Sequence, residues 1–600
     1  MKRFPVWVLS ILLLLVAVSC SRSLFQYRST IPEDTERYWI GPEFWSNRLQ
    51  DWQIRDGRIE CIGGRQPLRT VHLLTHSLGP EVGNLRASVR TGLIGERETL
   101  SGNAFSGFLI GAGDAGLDYR ANAIIHLGSG ENGGLAVGLN GAGRIVFLDN
   151  EKEMVPLPIA SRSGEAVVRH TGEDLELRLL LYPDAGRFGL TLSVYDAASG
   201  RLLQEATTIG IESSRLTGSI ALVAHEGADP EGRSFWFRDL EVSGSKVEIH
   251  EEQQYGPVLG VLYTLDKGIL KLTAQFPPLA DTDPRTADLQ IRSPGGTWET
   301  VARAELVTPG WTAPFKVTDW DSSRDVEYRI AYPGVSDTGS RQLSTYEGTI
   351  RHDPVDKDEI VIAAFTGNSN TLGSFSKRFS FTRSRLWFPH QEIYRLTDAK
   401  NPDLLVFTGD QVYEGRPTPP DRSGTFDSYL DYLYKWYLWC WAYHGLTREI
   451  PTVCLPDDHD VYHGNIWGAG GRKARGQPAD GRYPDHYKGF EGHWRQDGGG
   501  YLMPPEFVNM VQRTQTSHLP DPVDPEPVEQ GITVYFTDMT YGGISFAVLE
   551  DRKFKSAPSV VVPAAKVVNG FPQSPIPRLI VLGAVSYTHL RAHETSLHLV

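Results

Sequence analysis

The fold is decided first by residues 404–413, which read LLVFTGDQVY. The apolar run at 404–407 predicts a buried strand, and Gly409 lets the backbone turn sharply where that strand ends. The carboxylate of Asp410 is then expected to point into the crevice beyond the strand, and Tyr413 returns to the same place three residues later. A carboxylate beside a phenolate favours a strongly Lewis-acidic metal ion over zinc.

A second strand end follows at residues 450–465, which read IPTVCLPDDHDVYHGN. Three carboxylates around one histidine cost free energy unless a cation neutralises them. We therefore expect Asp458 to be a metal ligand and His459 to give a proton to a leaving group. His463 and Asn465 are expected to contact the substrate, with a turn role as the alternative for Asn465.

The region around these motifs predicts α/β organisation. IVIAAFTG at 360–367, PDLLVFTGD at 402–410 and IPTVCLPDD at 450–458 are apolar runs that end in polar loops, and a helix is predicted over 426–446. Functional loops in such folds lie at the carboxyl ends of the strands. The aromatic run at 429–443, YLDYLYKWYLWCWAY, favours a buried helix over a ligand platform.

Residues 357–584 resemble the PhoD-like (alkaline phosphatase D) branch of the calcineurin-like metallophosphatases. The resemblance lies in TGDQVYEG at 408–415, DDHDVYHGN at 457–465 and YGGISFAVLEDRKFK at 541–555, which contains the Asp-Arg pair at 551–552. It implies an α/β metallophosphatase sandwich and phosphoester hydrolysis by a metal-activated hydroxide. It also implies that Asp410 bridges two metal ions, that Tyr413 binds a ferric ion, that Asp458 is a ligand and that His459 assists the leaving group.

Two departures from this family bear on the metals. The first motif commonly has Cys where this sequence has Asn368, so the Fe³⁺ and Ca²⁺ pair that the resemblance implies is in question. Asn368 as a ligand makes Mn²⁺ or Mg²⁺ plausible as well, because hard cations prefer oxygen ligands. The family's later Gly-His motifs lie beyond the segment RLIVLGA at 578–584. We therefore expect an incomplete catalytic domain and an inactive fragment.

The front of the chain predicts two β-sandwiches. Residues 24–250 contain evenly spaced runs such as LRASVRTGL, LELRLLLY and GSIALVAHE, and are similar to the concanavalin-like jelly rolls of secreted hydrolases. Trp45, Trp52 and Trp236 could stack on sugars there, although core positions are favoured. Residues 255–353 predict a fibronectin-like sandwich of about seven strands. The alternative function is therefore a cell-surface carbohydrate-binding protein with a degenerate phosphatase-like domain.

The two ends of the chain predict export and a non-native tail. Residues 1–20 have two basic residues and then an apolar run too short to span a bilayer, which is typical of a signal peptide. Ala-Val-Ser before Cys20 resembles a bacterial lipobox and predicts a lipid anchor at the cell envelope; cleavage without lipidation is the alternative. SYTHLRAHETSLHLV at 586–600 offers His589 and His593 for zinc on a helix, but it resembles a translated sequencing adaptor, so 585–600 is taken as non-native.

Charge and length limit the partners. Fifty-nine Lys and Arg against 73 Asp and Glu leave a net charge of −14, the wrong sign for generic binding to nucleic acid or to an anionic membrane surface. Six hundred residues predict several domains. The expected partners are a phosphoester, a glycan on the N-terminal sandwich, and the membrane through the anchor at Cys20, with no nucleic-acid scaffold role.

Overall fold

The computed structural model describes residues 26–573 except 64–68, 96–99, 115, 125–128, 169–173, 226–234, 335–342, 375–381, 464–467, 469–470, 551, 558 and 560–565. The signal peptide with Cys20, Asn465, Asp551, the segment 578–584 and the tail 585–600 lie outside the described residues and stay predictions. No helix in the described part of the chain is long and apolar enough to cross a membrane.

The described chain forms two compact units. The first contains residues 26–34, 55–123 and 132–253, and the second contains residues 35–54, 124, 129–131 and 254–573. The segment 35–54 therefore belongs with the second half of the chain. The domain limits at 250, 353 and 584 that the sequence suggests stay predictions.

Strands dominate the first 253 residues. They are β1 (Tyr27–Arg28), β2 (Phe44–Asn47), β3 (Trp52–Arg55), β4 (Arg58–Cys61), β5 (Arg69–Leu78), β6 (Leu85–Leu93), β7 (Phe105–Ala112), β8 (Leu135–Asn140), β9 (Ile145–Asp149), β10 (Val155–Pro156), β11 (Ser161–Gly164), β12 (Leu175–Asp184), β13 (Arg187–Asp196), β14 (Leu202–Ile211), β15 (Gly218–His225), β16 (Phe235–Ser243) and β17 (Val247–Ile249). A short helix, α1 (Tyr119–Ala123), follows β7.

The first unit is built from two antiparallel sheets. One has the order β11-β14-β13-β12-β6-β16-β4, with β1 beside β16, and the other has the order β10-β9-β8-β7-β15-β5-β17. Strand β12 buries Leu175, Leu177, Leu179 and Leu181, while the side chains between them reach solvent. This period of two puts one face of the strand in a shared core. The prediction of an all-β sandwich is confirmed at this level.

The three tryptophans considered for sugar stacking are buried. Trp236 in β16 is 4% exposed, and Trp45 and Trp52 are 7% and 0% exposed. The last two belong to the second unit, where the Trp45 ring lies 4.7 Å from the ring of Trp441. All three are core residues, as the sequence favours.

The second unit begins with seven strands in two antiparallel sheets. The sheet β18-β19-β22 uses Gly260–Asp266, Ile269–Gln275 and Thr312–Val317, and the sheet β21-β20-β23-β24 uses Glu299–Glu305, Thr286–Arg292, Val326–Tyr332 and Ser344–Ile350. The number of strands matches the seven or so that the sequence predicts, and the fibronectin-like assignment stays a prediction.

A parallel sheet follows, made of β25 (Ile362–Phe365), β26 (Leu404–Phe407) and β27 (Thr452–Cys454). Helix α2 (Gln391–Asp398) connects the first two strands and α3 (Phe426–Thr447) the last two. The remaining elements are α4 (His493–Asp497), α5 (Pro505–Thr516), β28 (Phe536–Tyr541), β29 (Ile544–Leu549), β30 (Val567–Val568) and β31 (Phe571–Pro572). Because the strands are parallel, the loops after all three meet at one edge. The calcineurin-like assignment of this part stays a prediction.

Helix α3 is the centre of the second unit. Its three tryptophans are almost fully buried, and Trp436 donates its Nε1–H to Gln275 Oε1 of the seven-stranded part at 2.9 Å. On the side of the parallel sheet, the Trp439 ring meets Phe407 edge-on at 4.9 Å. The aromatic run is therefore a buried structural helix, as predicted.

Two side chains of this helix form a buried ion pair. Lys435 Nζ lies 2.5 Å from Asp431 Oδ2, and the two side chains are 1% and 0% exposed. Asp431 also accepts hydrogen bonds from the Tyr462 hydroxyl at 2.9 Å and from Gln50 Nε2 at 3.0 Å. Burial lowers the pKa of Lys435, and Asp431 opposes this shift.

Removing one partner of this pair should destabilise the second unit strongly. We expect Lys435→Met to lower the free energy of unfolding by about 3–5 kcal/mol, because Asp431 would stay buried without its counter-charge. Urea unfolding measures this change. The control is Lys316→Met, which removes an exposed partner of Asp521 and should change little. Equal effects of the two variants would contradict the expectation.

A buried histidine should make stability depend on pH. His518 is fully buried and donates its Nε2–H to the Thr452 carbonyl at 2.9 Å. Burial lowers the pKa of His518 to about 3, against about 6.5 in an unfolded chain. Between these values the unfolded chain binds a proton that the folded chain does not bind, so stability falls as the pH drops below about 6.5.

We expect His518→Gln to remove up to about 1.4 kcal/mol per pH unit from this slope. Urea midpoints measured between pH 4.5 and pH 7 give the slope. Any constant loss from repacking shifts all midpoints together and leaves the slope interpretable. His486→Gln, at a partly exposed position, is the control. A slope unchanged in His518→Gln would contradict the prediction.

Candidate metal centre

Three carboxylates meet at the edge of the parallel sheet. Within the described residues, Asp410, Asp457 and Asp458 form one group whose ligand oxygens all lie within 4.8 Å of one another. Asp410 follows β26, and the other two follow β27. The structure thus brings together two of the residues singled out from the sequence and adds Asp457.

Backbone geometry at Gly409 makes this meeting possible. Gly409 has φ of +122° and Asp410 has φ of +56°, so the chain turns in a region that favours glycine. A Cβ on Gly409 would lie 2.3 Å from the Cβ of Asp457. Glycine is therefore required both for the turn and for the close approach of the two loops.

A fourth carboxylate, Asp460, holds the two loops together. Its Oδ2 accepts the backbone N–H groups of Asp410 and Asp457, each at 2.8 Å. Its Oδ1 accepts the N–H of Val412 at 2.9 Å and the Nε2–H of Gln515 at 3.0 Å. Asp460 is 0% exposed, so it cannot meet a ligand and acts by positioning the residues that can.

The electrostatics of the cluster suit a hard cation. Burial raises the pKa of Asp410 and of Asp458, and the nearby negative charges of the cluster raise them further. A cation among these oxygens would relieve both effects. Since Asp410, Asp457 and Asp458 offer carboxylate oxygens alone, the donor set fits Mg²⁺, Ca²⁺ or Mn²⁺.

Tyr413 lies beside this cluster. A Cβ on Gly367 would lie 2.9 Å from the Tyr413 hydroxyl, and the Tyr413 ring packs 4.7 Å from the ring of His459. Burial and the neighbouring Asp410 raise the pKa of Tyr413 to about 12. A bound cation would act in the opposite direction, because it favours the phenolate.

His459 is held by a carboxylate that had no role in the sequence analysis. Its Nδ1 lies 2.6 Å from Glu414 Oε2, and Arg422 binds the other oxygen of Glu414 at 2.8 Å. Burial lowers the pKa of His459, but the hydrogen bond to Glu414 and the negative charges of Glu414, Asp410 and Asp458 outweigh this and raise it to about 9. The imidazole is therefore oriented and carries two protons at neutral pH.

Asp457 has a cationic neighbour. Arg552 Nε lies 2.9 Å from Asp457 Oδ1, which also accepts the backbone N–H of Asp458 at 2.8 Å. The side chain of Arg552 is 26% exposed. A partly exposed arginine beside three carboxylates can contact an anion that approaches the cluster.

Asn368 and His463, which the sequence also predicts for the site, are hydrogen-bonded to other parts of the protein. The backbone N–H of Asn368 donates to the Asp410 carbonyl at 2.8 Å, but its Oδ1 accepts the Tyr443 hydroxyl at 2.9 Å. The backbone N–H of His463 donates to the Asp458 carbonyl at 3.3 Å, and this residue is 2% exposed. The roles of Asn368 as a ligand and of His463 in substrate binding stay predictions, and Asn465 lies outside the described residues.

Four contributors were missed by sequence reasoning: Asp457, Asp460, Glu414 and Arg552. All four lie inside the three quoted motifs, so proximity to Asp410 and Asp458 was the available signal. The motifs could not show which carboxylate faces a cation, which accepts hydrogen bonds from backbone N–H groups and which holds His459.

Weakening the hydrogen bonds of Asp460 to the two loops should weaken cation binding. In Asp460→Asn an amide N–H₂ replaces one oxygen and faces an N–H donor, so at least one of the four hydrogen bonds is lost. We expect the Mn²⁺ dissociation constant to rise about 10- to 100-fold, as for other groups that orient metal ligands. Calorimetric titration with Mn²⁺ measures it, with the exposed Asp356→Asn as control. Unchanged affinity in a folded Asp460→Asn would contradict the positioning role.

Comparisons with known proteins give structural likenesses alone. No protein-family model matches the chain, and no curated protein matches it. The chain is similar to arcelin-5, a lectin-like defence protein of Phaseolus vulgaris, at 12% identity over 37% of this chain and 97% of arcelin-5, with a TM-score of 0.27. It is similar to lectin II from Ulex europaeus at 9% identity over 37% of this chain and 99% of the lectin, with a TM-score of 0.26. For the exoplasmic domain of VIP36, solved with Ca²⁺ and Man3GlcNAc, the identity is 11% over 36% of this chain and 87% of that domain, with a TM-score of 0.24.

Proposed function

We propose that the second unit supports metal-dependent hydrolysis of phosphoesters, as its resemblance to the PhoD-like metallophosphatases implies. The observation that supports this best is the meeting of Asp410, Asp457 and Asp458 at one sheet edge, beside Tyr413 and an imidazole held by a carboxylate. The metal ion, the proton donor and the anionic substrate would then lie next to one another.

The metal would be held by the three carboxylates, with the Tyr413 hydroxyl as a further oxygen donor. When bound, such an ion makes a water nucleophilic near neutral pH and balances charge on phosphoryl oxygens. Asp460 keeps the two loops at the distance that this binding needs. The family resemblance also implies a second metal ion.

His459 is the proposed proton donor to the leaving oxygen. Because Glu414 engages Nδ1, Nε2 is the ring nitrogen that is left to face a substrate. A proton given from Nε2 lowers the cost of expelling an alkoxide. Glu414 touches no substrate in this scheme and acts as a positioning residue through His459.

Arg552 is proposed to receive the phosphoryl group. Its guanidinium is held beside the cluster by Asp457, and the positive charge of this group attracts phosphoryl oxygens. A phosphoester that enters therefore meets a positive charge as well as the carboxylates. This charge matters because three carboxylates alone would repel an anion.

Binding and turnover variants test this function. We expect Mn²⁺ to bind the wild-type chain and inorganic phosphate to bind only the Mn²⁺-loaded protein. Asp410→Asn should weaken both, because it removes a metal ligand. His459→Gln should keep both and lower hydrolysis of bis(p-nitrophenyl) phosphate about 100-fold or more, the usual contribution of a general acid.

Binding is the main measurement, because it tests the carboxylates and Arg552 directly and does not require turnover. Arg422→Met removes the side chain that holds Glu414 in place beside His459. The exposed Asp356→Asn is the control. If wild-type protein binds neither Mn²⁺ nor Mn²⁺-dependent phosphate, the hydrolase proposal fails.

A second candidate function is carbohydrate binding by the first unit, with the phosphatase-like part as a degenerate scaffold. Asn368 favours it, because its side-chain oxygen is engaged by Tyr443 at the place where the family commonly has a metal-binding cysteine. Sugar binding in a protein that fails the Mn²⁺ and phosphate titrations would support this candidate. Under either function, the predicted anchor at Cys20 would place the protein at the cell envelope.

A further inference from the structure

A partly exposed arginine, Arg416, lies beside the metal centre and has no role in the function proposed above. It follows Tyr413 by three residues in the loop after β26. Its guanidinium carbon lies 5.7 Å from the centre of the Tyr413 ring. Because the loops after the three parallel strands meet at one edge of the sheet, Arg416 lies at the same edge as the carboxylates.

Two hydrogen bonds hold this guanidinium in place. Arg416 Nη1 donates to Ser369 Oγ at 2.8 Å and to the Thr371 carbonyl at 3.3 Å. Both acceptors belong to the loop after β25, and the Ser369 hydroxyl in turn donates to the Thr371 carbonyl at 2.9 Å. The guanidinium is therefore positioned before a ligand arrives, which reduces the entropy that a ligand has to offset on binding.

The other side of this guanidinium is left for a ligand. Among the described residues, Nε and Nη2 of Arg416 make no hydrogen bond, and Arg416 makes no ion pair. By contrast, Arg422 pairs with Glu414 at 2.8 Å and Arg552 pairs with Asp457 at 2.9 Å. The N–H groups of Nε and Nη2 form a planar fork that matches two oxygens of a carboxylate or a phosphate.

Tyr413 connects Arg416 with the proposed proton donor. The Tyr413 ring lies 4.7 Å from the ring of His459 and 5.7 Å from the guanidinium of Arg416. A leaving oxygen that receives a proton from His459 continues into the alcohol part of the substrate. The alcohol part therefore begins on the side of the site where Tyr413 and Arg416 lie, whereas Arg552 is held by Asp457.

The charge of Arg416 distinguishes between alcohols. An uncharged alcohol would leave the fork of Arg416 without a partner, and an alcohol with an ammonium group would be repelled. A carboxylate or a second phosphate could accept charge-assisted hydrogen bonds from both Nε and Nη2. Arg552 and Arg416 would then bind two different anionic groups of one substrate.

We propose that Arg416 forms a subsite for a second anionic group, a carboxylate or a phosphate, on the alcohol part of a phosphoester substrate. The proposal rests on the hydrolase function proposed above and names its substrate class, which is phosphoesters whose leaving alcohol carries a further negative charge. Arg416 determines specificity in this scheme and takes no part in metal binding.

The test compares phosphonates, whose P–C bond replaces the ester bond, by calorimetry on the Mn²⁺-loaded full chain. Propylphosphonate carries no second charge. In 3-phosphonopropionate and ethane-1,2-bisphosphonate a carboxylate or a second phosphonate stands at the end of the same two-carbon spacer, and in 2-aminoethylphosphonate an ammonium group stands there. Titrations without protein correct for binding of the probes to Mn²⁺.

We expect at least one of the two doubly anionic probes to bind about tenfold more tightly than propylphosphonate, as hydrogen bonds to a charged group allow. The tighter of the two identifies the second group as a carboxylate or a phosphate. We expect 2-aminoethylphosphonate to bind most weakly, because its ammonium group would face the guanidinium.

Variants of Arg416 assign the preference to this side chain. Arg416→Met should bring the ratio of affinities to about one, and Arg416→Lys, which keeps the charge without the fork, should keep part of the preference. The matched control is Arg303→Met, which removes the same charge from an exposed position in the seven-stranded part and should leave the ratio unchanged.

The outcomes separate this subsite from the hydrolase function. A preference that survives in Arg416→Met would overturn the assignment, and so would an equal loss of affinity for all four probes, which is what a displaced loop would produce. Wild-type protein that binds Mn²⁺ and propylphosphonate without any preference would overturn the subsite and leave the hydrolase proposal standing. Mn²⁺-loaded protein that binds neither the phosphonates nor inorganic phosphate would overturn both.

Discussion

The metal centre depends on one buried carboxylate that cannot touch a ligand. Asp460 accepts hydrogen bonds from the loop after β26, from its own loop after β27 and from Gln515 of α5. These bonds hold the two loops together against the mutual repulsion of Asp410, Asp457 and Asp458, which Arg552 beside Asp457 also reduces. Burial and the neighbouring charge of Asp410 raise the pKa of Asp460 well above its ordinary value, and the N–H donors around Asp460 act in the opposite direction.

The position of Asp460 depends in turn on helix α3 and the elements that pack on it. Gln515, which binds Asp460, also donates to the hydroxyl of Tyr432 on α3 at 3.2 Å. The same helix encloses the Asp431–Lys435 pair, and Tyr462 of the site loop donates to Asp431. The loop that carries Asp457 and Asp458 is thus tied to the core at both of its ends. A rigid core behind the loops is what allows like charges to be held together in front of them.

Sequence patterns were informative where a residue's role depends on its own strand. Apolar runs that end in Gly409-Asp410 and Asp457-Asp458 predicted strands and their functional ends, because parallel strands bring their carboxyl ends to one edge. Roles that depend on contacts between distant segments could not be predicted. Glu414 meets His459 across 45 residues of sequence, and Arg552 reaches Asp457 from a different strand. For the same reason, no local pattern indicated that the segment 35–54 packs in the second unit.

The metal centre is rich in acidic residues, and its cationic neighbours bear on whether an anion can approach it. Beside the metal centre stand Arg552 and the imidazole of His459, whose pKa Glu414 and the nearby carboxylates raise against the opposing effect of burial, so an anion that approaches would meet positive charge there even before a metal is added. An anion that leaves water needs a cation to compensate its desolvation, and these two groups supply that charge beside three carboxylates. The proposed phosphoester chemistry is therefore compatible with an acidic cluster in a protein whose net charge is −14.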